Sequence, residues 1–197
     1  MATHPRQAAV GVMALARAPE PGTPVEIEMT RMRRRHLRRV LSIEARVYPR
    51  PWSTSLFLSE LAQRTTRTYL VARHDGEVVG YAGMMFLPQE SHVTNIAVDP
   101  DWHGYKIGSR LLLKIITESL ARGSDRLSLE VRVSNSAAQM MYEKFGFSVV
   151  GVRKGYYIET NEDAYVMVVD NALSNEYREL LAGIRARLYG LGDGSTR

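Results

Sequence analysis

Three features of this sequence combine the residue types and spacing that group transfer needs. The first is a polar loop at residues 103–109, which contains two glycines and opens an amphipathic helical pattern. A helix start leaves main-chain N–H groups free and carries a partial positive charge, so it binds phosphate without special side chains. The others are a carboxylate, Glu130, in a short apolar strand pattern, and a phenol, Tyr142, in the helix pattern that follows. Together they indicate transfer of a group from a phosphorylated carrier.

Glu130 is the candidate proton acceptor. Side chains alternate along a strand, so Glu130 lies on the opposite face from Leu129 and Val131. If helices cover both faces of the sheet, this carboxylate is partly buried and can take a proton from an incoming amine, whose pKa as a peptide α-ammonium is about 7.7–8.0. The alternative is an ion pair with Arg126 or Arg132 on an exposed face, and the residues alone favour that alternative.

Tyr142 is the candidate proton donor. Asn135 lies seven residues before it, which is nearly two helical turns, so both side chains share one helix face. That face can touch one ligand at two points, with Asn135 on the carrier and the Tyr142 hydroxyl giving a proton to the leaving group. The alternative places Tyr142 in the core beside Phe145 and Phe147, which we assign to the core in either case.

Other chemistries find little support. The sequence has no Gly-x-Ser-x-Gly, His-Glu-x-x-His or Gly-Lys-Ser/Thr motif, which argues against hydrolases, zinc proteases and P-loop enzymes. The five histidines show no ligand spacing and cysteine is absent, so we expect no metal site and a reducing, cytoplasmic location. No apolar run reaches the ~18 residues of a membrane-spanning helix, so no membrane partner is expected.

Periodicity and turn residues predict the elements that must position these groups. Residues 25–29 alternate like a half-buried strand, and Thr30 is a candidate cap for a helix ending near residue 45. A helix near residues 53–62 follows Pro51, and Asp75-Gly76 predicts a hairpin. Strands are predicted at residues 68–72, 78–87, 92–98, 127–131, 147–152 and 165–169, and helices at residues 107–122, from about residue 135, and 174–189.

The central stretch also resembles a known family, the GNAT N-acetyltransferases. Within that family it is similar to the RimI type, which acetylates the N-terminal alanine of a ribosomal protein. The resemblance extends from about residue 25 to residue 169. The motifs that carry it are Asn95-Ile96-Ala97-Val98-Asp99-Pro100, His103-Gly104-Tyr105-Lys106-Ile107-Gly108-Ser109, Leu129-Glu130-Val131-Arg132, Asn135 and Tyr142-Glu143-Lys144-Phe145-Gly146-Phe147.

The resemblance implies a fold and a reaction. The fold is α+β, an acyl-CoA N-acyltransferase fold with a mixed, mostly antiparallel central sheet flanked by helices and splayed to admit coenzyme A. The reaction is transfer of acetyl from acetyl-CoA to a peptide α-amine, first of all the N-terminal alanine of a ribosomal protein. Two alternatives remain: acetylation of a small amine such as an aminoglycoside or polyamine, and a non-catalytic module that binds RNA or the ribosome.

The resemblance also assigns roles to residues. Glu130 is the base, and Tyr142 is the acid that protonates the coenzyme A thiolate. Trp52, Tyr156 and Tyr157 contact the peptide, with the core and a surface aromatic pair as the alternatives. Lys106 replaces a glycine of the family's loop, which puts the backbone freedom there in question. The residues implied to hold the cofactor are Ile96, Ala97, Val98, Gly104, Tyr105, Lys106, Ile107, Gly108, Ser109 and Asn135.

Charge and composition complete the domain prediction. We expect a disordered, proline-containing leader at residues 1–24, the acetyltransferase domain at residues 25–170, and an amphipathic helix and tail at residues 171–197 that pack back on the sheet. Residues 31–50 hold eight arginines and one acid. We interpret these arginines as a solvated helix face, with docking onto ribosomal material or an acidic substrate tail as the alternative. Direct nucleic-acid binding is not expected, although residues 31–39 offer a surface for it.

Overall fold

The structure, a computed structural model, describes residues 25–190; the predicted leader at residues 1–24 and the last seven residues of the tail lie outside the described residues. Seven strands form one sheet in the order β1-β2-β3-β4-β5-β7-β6. The strands are β1 (Glu28–Arg31), β2 (Arg67–His74), β3 (Glu77–Leu87), β4 (Glu90–Val98), β5 (Arg126–Arg132), β6 (Ser148–Tyr157) and β7 (Glu162–Val169). The helices are α1 (Leu37–Val47), α2 (Thr54–Ala62), α3 (Ile107–Ala121), α4 (Ser136–Lys144) and α5 (Asn175–Tyr189).

The sheet has one parallel junction, between β4 and β5, and all its other strand pairs are antiparallel. Pairing between β4 and β5 covers only residues 90–92 and 126–128. Beyond that point the two strands separate and leave a cleft in the middle of the sheet. The predicted mixed, mostly antiparallel sheet is confirmed, and the parallel junction is where it opens.

Helices cover both faces because the central strands are apolar on both sides. Along β2, Tyr69 and Val71 belong to the cluster under α1 and α2, whereas Leu70 and Ala72 belong to the cluster under α3, α4 and α5. Near-continuous apolar strands of this kind are typical of a sheet buried on both faces. The core assignment of Phe145 and Phe147 is confirmed, with side chains only 2% and 3% exposed.

Side-chain caps fix several helix starts where the sequence predicts them. The Ser53 hydroxyl accepts from Leu56 N–H at the start of α2, and the Ser174 hydroxyl accepts from Tyr177 N–H at the start of α5. Tyr177 and Ile184 of α5 are buried in the core, so this helix packs back on its own sheet, as predicted. The division of the chain at residue 170 stays a prediction.

The prediction for the N-terminal segment is wrong in two respects. Strand β1 begins at Glu28 rather than at residue 25. Thr30, the predicted helix cap, lies inside β1 opposite Val71, and a 3₁₀ turn at Arg34–His36 precedes α1. The pairing continues past β1, where Met32 N–H donates to the carbonyl of Tyr69 (2.8 Å). Sheet pairing therefore keeps the chain extended past Thr30.

The last hairpin also differs from its prediction. Residues 155–157 were expected between the final strands, but β6 extends through Tyr157. Gly155 has a left-handed φ of 58° and lies in an irregularity of the β6–β7 pairing. Its N–H donates to Asp163 Oδ1 (2.9 Å). The glycine therefore serves a bulge within the strand, not the turn that ends it.

Six of the eight arginines of residues 31–50 fall into two groups. Arg39 and Arg46 both donate to Asp99, whose side chain is completely buried, and Arg46 also pairs with Asp101 (2.8 Å). These bonds tie α1 to the end of β4. The remaining arginines near the start of α1 are exposed, which fits the predicted solvated face; they are Arg33, Arg34, Arg35 and Arg38.

None of the described helices is both long enough and apolar enough to cross a membrane.

Candidate active site

The cleft between β4 and β5 opens into a cavity of about 1080 Å³. Its walls come from both strands, the end of α1, the loop before α3 and one face of α4. The cavity is continuous from Gly108 at the start of α3 to Glu130 and Tyr142. The structure therefore brings the three predicted chemical features into one space.

A bulge in β4 shapes one wall of this cleft. Gly83 pairs with Asn95 and Met84 pairs with Val93, so Thr94 is an extra residue in β4. An ideal Cβ on Gly83 would lie 2.3 Å from the Tyr69 ring and 2.5 Å from Thr94 Oγ1. Any other residue at position 83 would thus collide with the bulge. The bulge lies immediately before residues 95–98, the part of β4 that lines the cleft.

The backbone of β4 beyond the bulge turns alternate residues toward the cleft. Asp99 N–H donates to the carbonyl of Val79 on β3, so Ala97, two residues earlier, also directs its main chain to β3. Ile96 and Val98 then face the cleft. The Ile96 carbonyl accepts from Tyr48 Oη (2.9 Å), and the Val98 carbonyl lies 3.2 Å from His103 Nε2. The N–H groups left for a ligand therefore belong to Ile96 and Val98, while Ala97 also lines the cavity.

The loop before α3 has the geometry of a phosphate site. The first helical hydrogen bond runs from Arg110 N–H to the carbonyl of Lys106, so the N–H groups of residues 107–109 have no helical acceptor. Gly104 and Lys106 both have left-handed φ angles, 88° and 58°. A Cβ on Gly108 would meet Met141 Sδ at 3.4 Å, so a larger residue would crowd the cavity. These residues fit the pyrophosphate of coenzyme A.

Lys106 therefore occupies a conformation that favours glycine, and we expect Lys106→Gly to stabilise the fold. A Cβ in the left-handed region costs about 1–2 kcal/mol, which glycine avoids. The greater conformational freedom of glycine in the unfolded chain offsets part of that gain. The expected gain in the free energy of unfolding is about 0.5–1 kcal/mol, measured by urea denaturation.

Lys106→Ala is the matched control, because it removes the ammonium but keeps the Cβ. It should show no gain in stability. An equal gain in both variants would mean that the lysine side chain, not the backbone angle, is the destabilising feature. A weaker affinity for acetyl-CoA shared by both variants would report the contribution of the ammonium.

Glu130 faces the cleft with both carboxylate oxygens engaged and its side chain 8% exposed. His92 Nε2 lies 3.1 Å from Oε2, and Arg153 lies 3.2 Å from Oε1. The hydrogen bond from His92, with the charges of His92 and Arg153, holds the pKa of Glu130 below its usual value, against the effect of burial. The predicted alternative partners are not used: Arg132 pairs with Glu159 and Glu162 instead, and Arg126 pairs with Asp170.

Tyr142 lines the cleft from α4 and is 7% exposed. Its ring packs against Phe147 at 5.8 Å, while its hydroxyl has no hydrogen-bond partner among residues 25–190. Burial, and then the nearby Tyr157, raise the pKa of Tyr142, so the phenol keeps its proton. The ring thus belongs to the core, as the alternative held, and the hydroxyl remains available to a ligand.

Asn135 has a structural task as well as a place in the cavity wall. Its Oδ1 accepts from Ala138 N–H (3.1 Å) and caps α4. The cap fixes the start of the helix that carries Tyr142. Because the cap uses Oδ1, the side-chain amide nitrogen of Asn135 is the group left for the predicted contact with the carrier.

The predicted peptide contacts all line the cavity. Trp52 packs on Phe57 with ring centroids 5.3 Å apart, so it is both core and cavity wall. Tyr156 and Tyr157 stand edge to face at 5.1 Å, and the Arg132 guanidinium covers the Tyr157 ring at 3.8 Å. All three aromatic rings share the cavity wall with Glu130.

Glu44, Tyr48 and His92 are among the cavity-wall residues that sequence reasoning missed. Glu44 is 1% exposed; it accepts from Trp52 N–H (2.7 Å) and from the Tyr81 hydroxyl. Burial raises the pKa of Glu44 to about 7, although the Trp52 bond opposes this. A carboxylate on the apolar stripe of α1 was the available signal, and the surrounding arginines obscured it.

Comparison with known proteins identifies the fold and the family. A sequence model of the Acetyltransferase (GNAT) family matches residues 37–147. The chain is 38% identical over 138 residues to a Bacillus subtilis protein named as a putative [ribosomal protein bS18]-alanine N-acetyltransferase, covering 70% of this chain and 91% of that one. It is 42% identical over 125 residues to the N-alpha-acetyltransferase RimI of Mycobacterium tuberculosis, covering 61% of this chain and 77% of that one.

A solved structure shows the same similarity. The crystal structure of the ribosomal-protein-S18-alanine N-acetyltransferase from Escherichia coli superposes with a TM-score of 0.69 and 31% identity, over 77% of this chain and 97% of that one. The family match covers more than half of the chain and includes the cleft, the phosphate loop, Glu130 and Tyr142. The chain belongs to the GNAT family of acetyl-CoA-dependent N-acetyltransferases.

Proposed function

We propose that this enzyme acetylates the α-amine of a protein N terminus, and that its substrate is the N-terminal alanine of ribosomal protein bS18. The observation that carries the proposal is the high identity, over nearly the whole length of the Bacillus relative, to a protein named for this reaction. Ribosomal proteins are made in the cytoplasm, and the proposal places the enzyme there.

On the donor side, the main chain and the helix start would do the binding. The N–H groups of Ile96 and Val98 can pair with the pantetheine arm as an added strand would. The N–H groups of residues 107–109 can hold the pyrophosphate with the partial positive charge of the α3 terminus. The Asn135 amide adds a donor on the opposite wall.

On the acceptor side, Glu130 would remove a proton from the substrate ammonium, directly or through one water. The freed nitrogen pair attacks the thioester carbon, the nitrogen loses its second proton to water, and the carbon–sulfur bond breaks. Tyr142 then gives its phenolic proton to the departing sulfur. The net products are one amide, one thiol and one proton. Glu130 then gives its extra proton to solvent and Tyr142 takes one back, so both side chains return to their starting states.

The peptide would enter between Trp52 and the tyrosines of β6. Tyr156 and Tyr157 present hydroxyls that can pair with a peptide backbone. Because they stand beside Glu130, a bound N terminus would lie within reach of the carboxylate.

The proposal can be tested with a short peptide that begins with the N-terminal alanine of bS18 and contains one internal lysine. Release of free thiol from acetyl-CoA measures turnover, and mass spectrometry locates the acetyl group. We expect acetylation at the α-amine alone. The same peptide with a blocked N terminus is the control and should not react.

Two outcomes would overturn the assignment. Acetyl transfer to the internal lysine, or to polyamines and aminoglycosides in preference to the peptide, would identify a different amine substrate. Salt-sensitive RNA binding without any turnover would favour a binding module over an enzyme.

A further inference from the structure

A line of hydrogen-bonding side chains leads from Glu130 out of the cleft. Glu130 Oε2 lies 3.1 Å from His92 Nε2, His92 Nδ1 lies 3.0 Å from Ser128 Oγ, and Ser128 Oγ lies 2.5 Å from Glu90 Oε1. His92 and Ser128 are the last paired residues of the parallel junction between β4 and β5. The line therefore begins where the sheet opens, and it ends at a half-buried carboxylate.

Counting hydrogens shows what this line lacks. Its three contacts need three hydrogens, and the Ser128 hydroxyl supplies one. A neutral His92 ring supplies one more, which leaves one contact without a hydrogen. A ring protonated on both nitrogens supplies two and satisfies every contact while both carboxylates stay ionised. The line as built is therefore one proton short when His92 is neutral.

Glu130 is a poor place to keep that proton. Its pKa is held below the usual value for a glutamate by His92 and then Arg153, whereas a peptide α-ammonium has a pKa of about 7.7–8.0. A proton taken from the amine must therefore move on if the carboxylate is to remain ionised. Imidazole is the side chain that exchanges protons near neutral pH, and His92 is the imidazole in contact.

Few other charges face His92 from the elements packed against it. Glu130 of β5 contacts the His92 ring directly. Glu90 of β4 is linked to the ring through the neutral hydroxyl of Ser128. From β6, Arg153 reaches the other oxygen of Glu130. Opposite His92 on β3 is Met85, which carries no charge.

We propose that His92 takes over the proton that Glu130 removes from the substrate, and that Ser128 and Glu90 return it to solvent. The inference rests on the proposed function, because it needs an ammonium substrate. The ammonium N–H bond breaks and its electron pair stays on nitrogen. The proton crosses Glu130 to His92 Nε2. His92 Nδ1 then releases its hydrogen to Ser128 Oγ as the Ser128 hydroxyl hydrogen passes to Glu90, which discharges it to water.

The test is the pH dependence of kcat/KM for the peptide in His92→Gln. Glutamine can still donate to Glu130 but cannot hold a second proton. We expect a fall of about 10-fold or more at pH 7, recovery to within about 3-fold at pH 9, where the amine is already neutral, and an unchanged KM for acetyl-CoA. His74→Gln, which lies off the cleft against Trp102, should keep the wild-type profile.

An unchanged profile in His92→Gln, or an equal loss at every pH, would overturn the proposal. Ser128→Ala gives a second reading, because it leaves the contact between Glu130 and His92 in place but cuts the path to Glu90. It should lower the rate at pH 7 by a smaller factor, about 2–5-fold, and no loss would remove Glu90 from the path.

A measurement without turnover separates this inference from the proposed function. The nitrogen NMR shifts of the His92 ring at pH 7 should differ between Glu130→Gln and the wild type, because an ionised acceptor next to Nε2 has been replaced by a neutral amide. Unchanged shifts would overturn the coupling even if the peptide is a good substrate. A wild-type enzyme that does not acetylate the peptide but shows this coupling would count against the proposed substrate alone.

Discussion

Glu130→Gln should lower kcat for an alanine-led peptide by about 10²–10⁴-fold at pH 7, the range a positioned general base supplies. Glutamine keeps the size of the side chain and can still accept from His92, so the cleft should keep its shape. It cannot accept a proton from an ammonium. The proposed binding surface for acetyl-CoA is on β4 and the α3 terminus, so the affinity for acetyl-CoA, measured by calorimetry, should change by less than about 3-fold.

The pH profile distinguishes a base from a structural ion pair. The residual rate of the variant should rise with pH toward the amine pKa of about 8, because the substrate then arrives already deprotonated. A variant that unfolds more easily but turns over normally at pH 7 would show that Glu130 only anchors His92 and Arg153.

Glu60→Gln is the matched control for this substitution. Glu60 is a carboxylate with a side chain 14% exposed, bonded to Arg67 and the Tyr69 hydroxyl, and it lies outside the cavity wall. Loss of its charge should lower stability and leave kcat near the wild-type value. A comparable loss of kcat in both variants would point to a general effect of uncharging half-buried carboxylates.

The sequence predicts most of the scaffold because its signals are local. The Asp75-Gly76 turn and the helix starts near residues 53 and 174 each depend on a few neighbouring residues. The prediction for the N-terminal segment failed because the conformation of that segment is not decided locally. Thr30 is a good cap in isolation, but pairing with β2 decides its conformation.

The candidate site shows the same division. Glu130 could be placed on one strand face from alternation alone, but its partner could not be identified. That partner depends on the register of a parallel junction between strands separated by a whole helix. Arg126 and Arg132 are near in sequence and were the obvious candidates, whereas His92 and Arg153 come from other strands.

The orientation of the β4 backbone could not be predicted from the sequence for a related reason. Which residues turn their N–H groups to the cleft depends on the phase of the pairing with β3, and the bulge at Thr94 shifts that phase by one residue. The resemblance implied residues 96–98 as a block. Only the pairing separates Ala97 from its two neighbours.

Tyr142→Phe should lower kcat by about 10²-fold while leaving the stability of the fold unchanged. The substitution removes one oxygen and keeps the ring packed against Phe147, and no hydrogen bond to another described residue is lost. Burial raises the pKa of Tyr142, so the phenol is protonated at working pH but is a weaker acid than free tyrosine. The expected loss therefore lies at the low end of the range for general acids.

Tyr177→Phe tests whether the effect belongs to the cleft or to buried tyrosines in general. Tyr177 is also 7% exposed, but its hydroxyl donates to the carbonyl of Phe145 (3.0 Å) and does not line the cavity. Removing the Tyr177 hydroxyl leaves the buried carbonyl of Phe145 without this donor, which should lower the free energy of unfolding by about 1–2 kcal/mol with kcat retained. The two variants should thus separate cleanly: one loses turnover at full stability, the other loses stability at full turnover. If Tyr142→Phe retains kcat, sulfur leaves as the thiolate without a proton from the protein, and Tyr142 only shapes the wall.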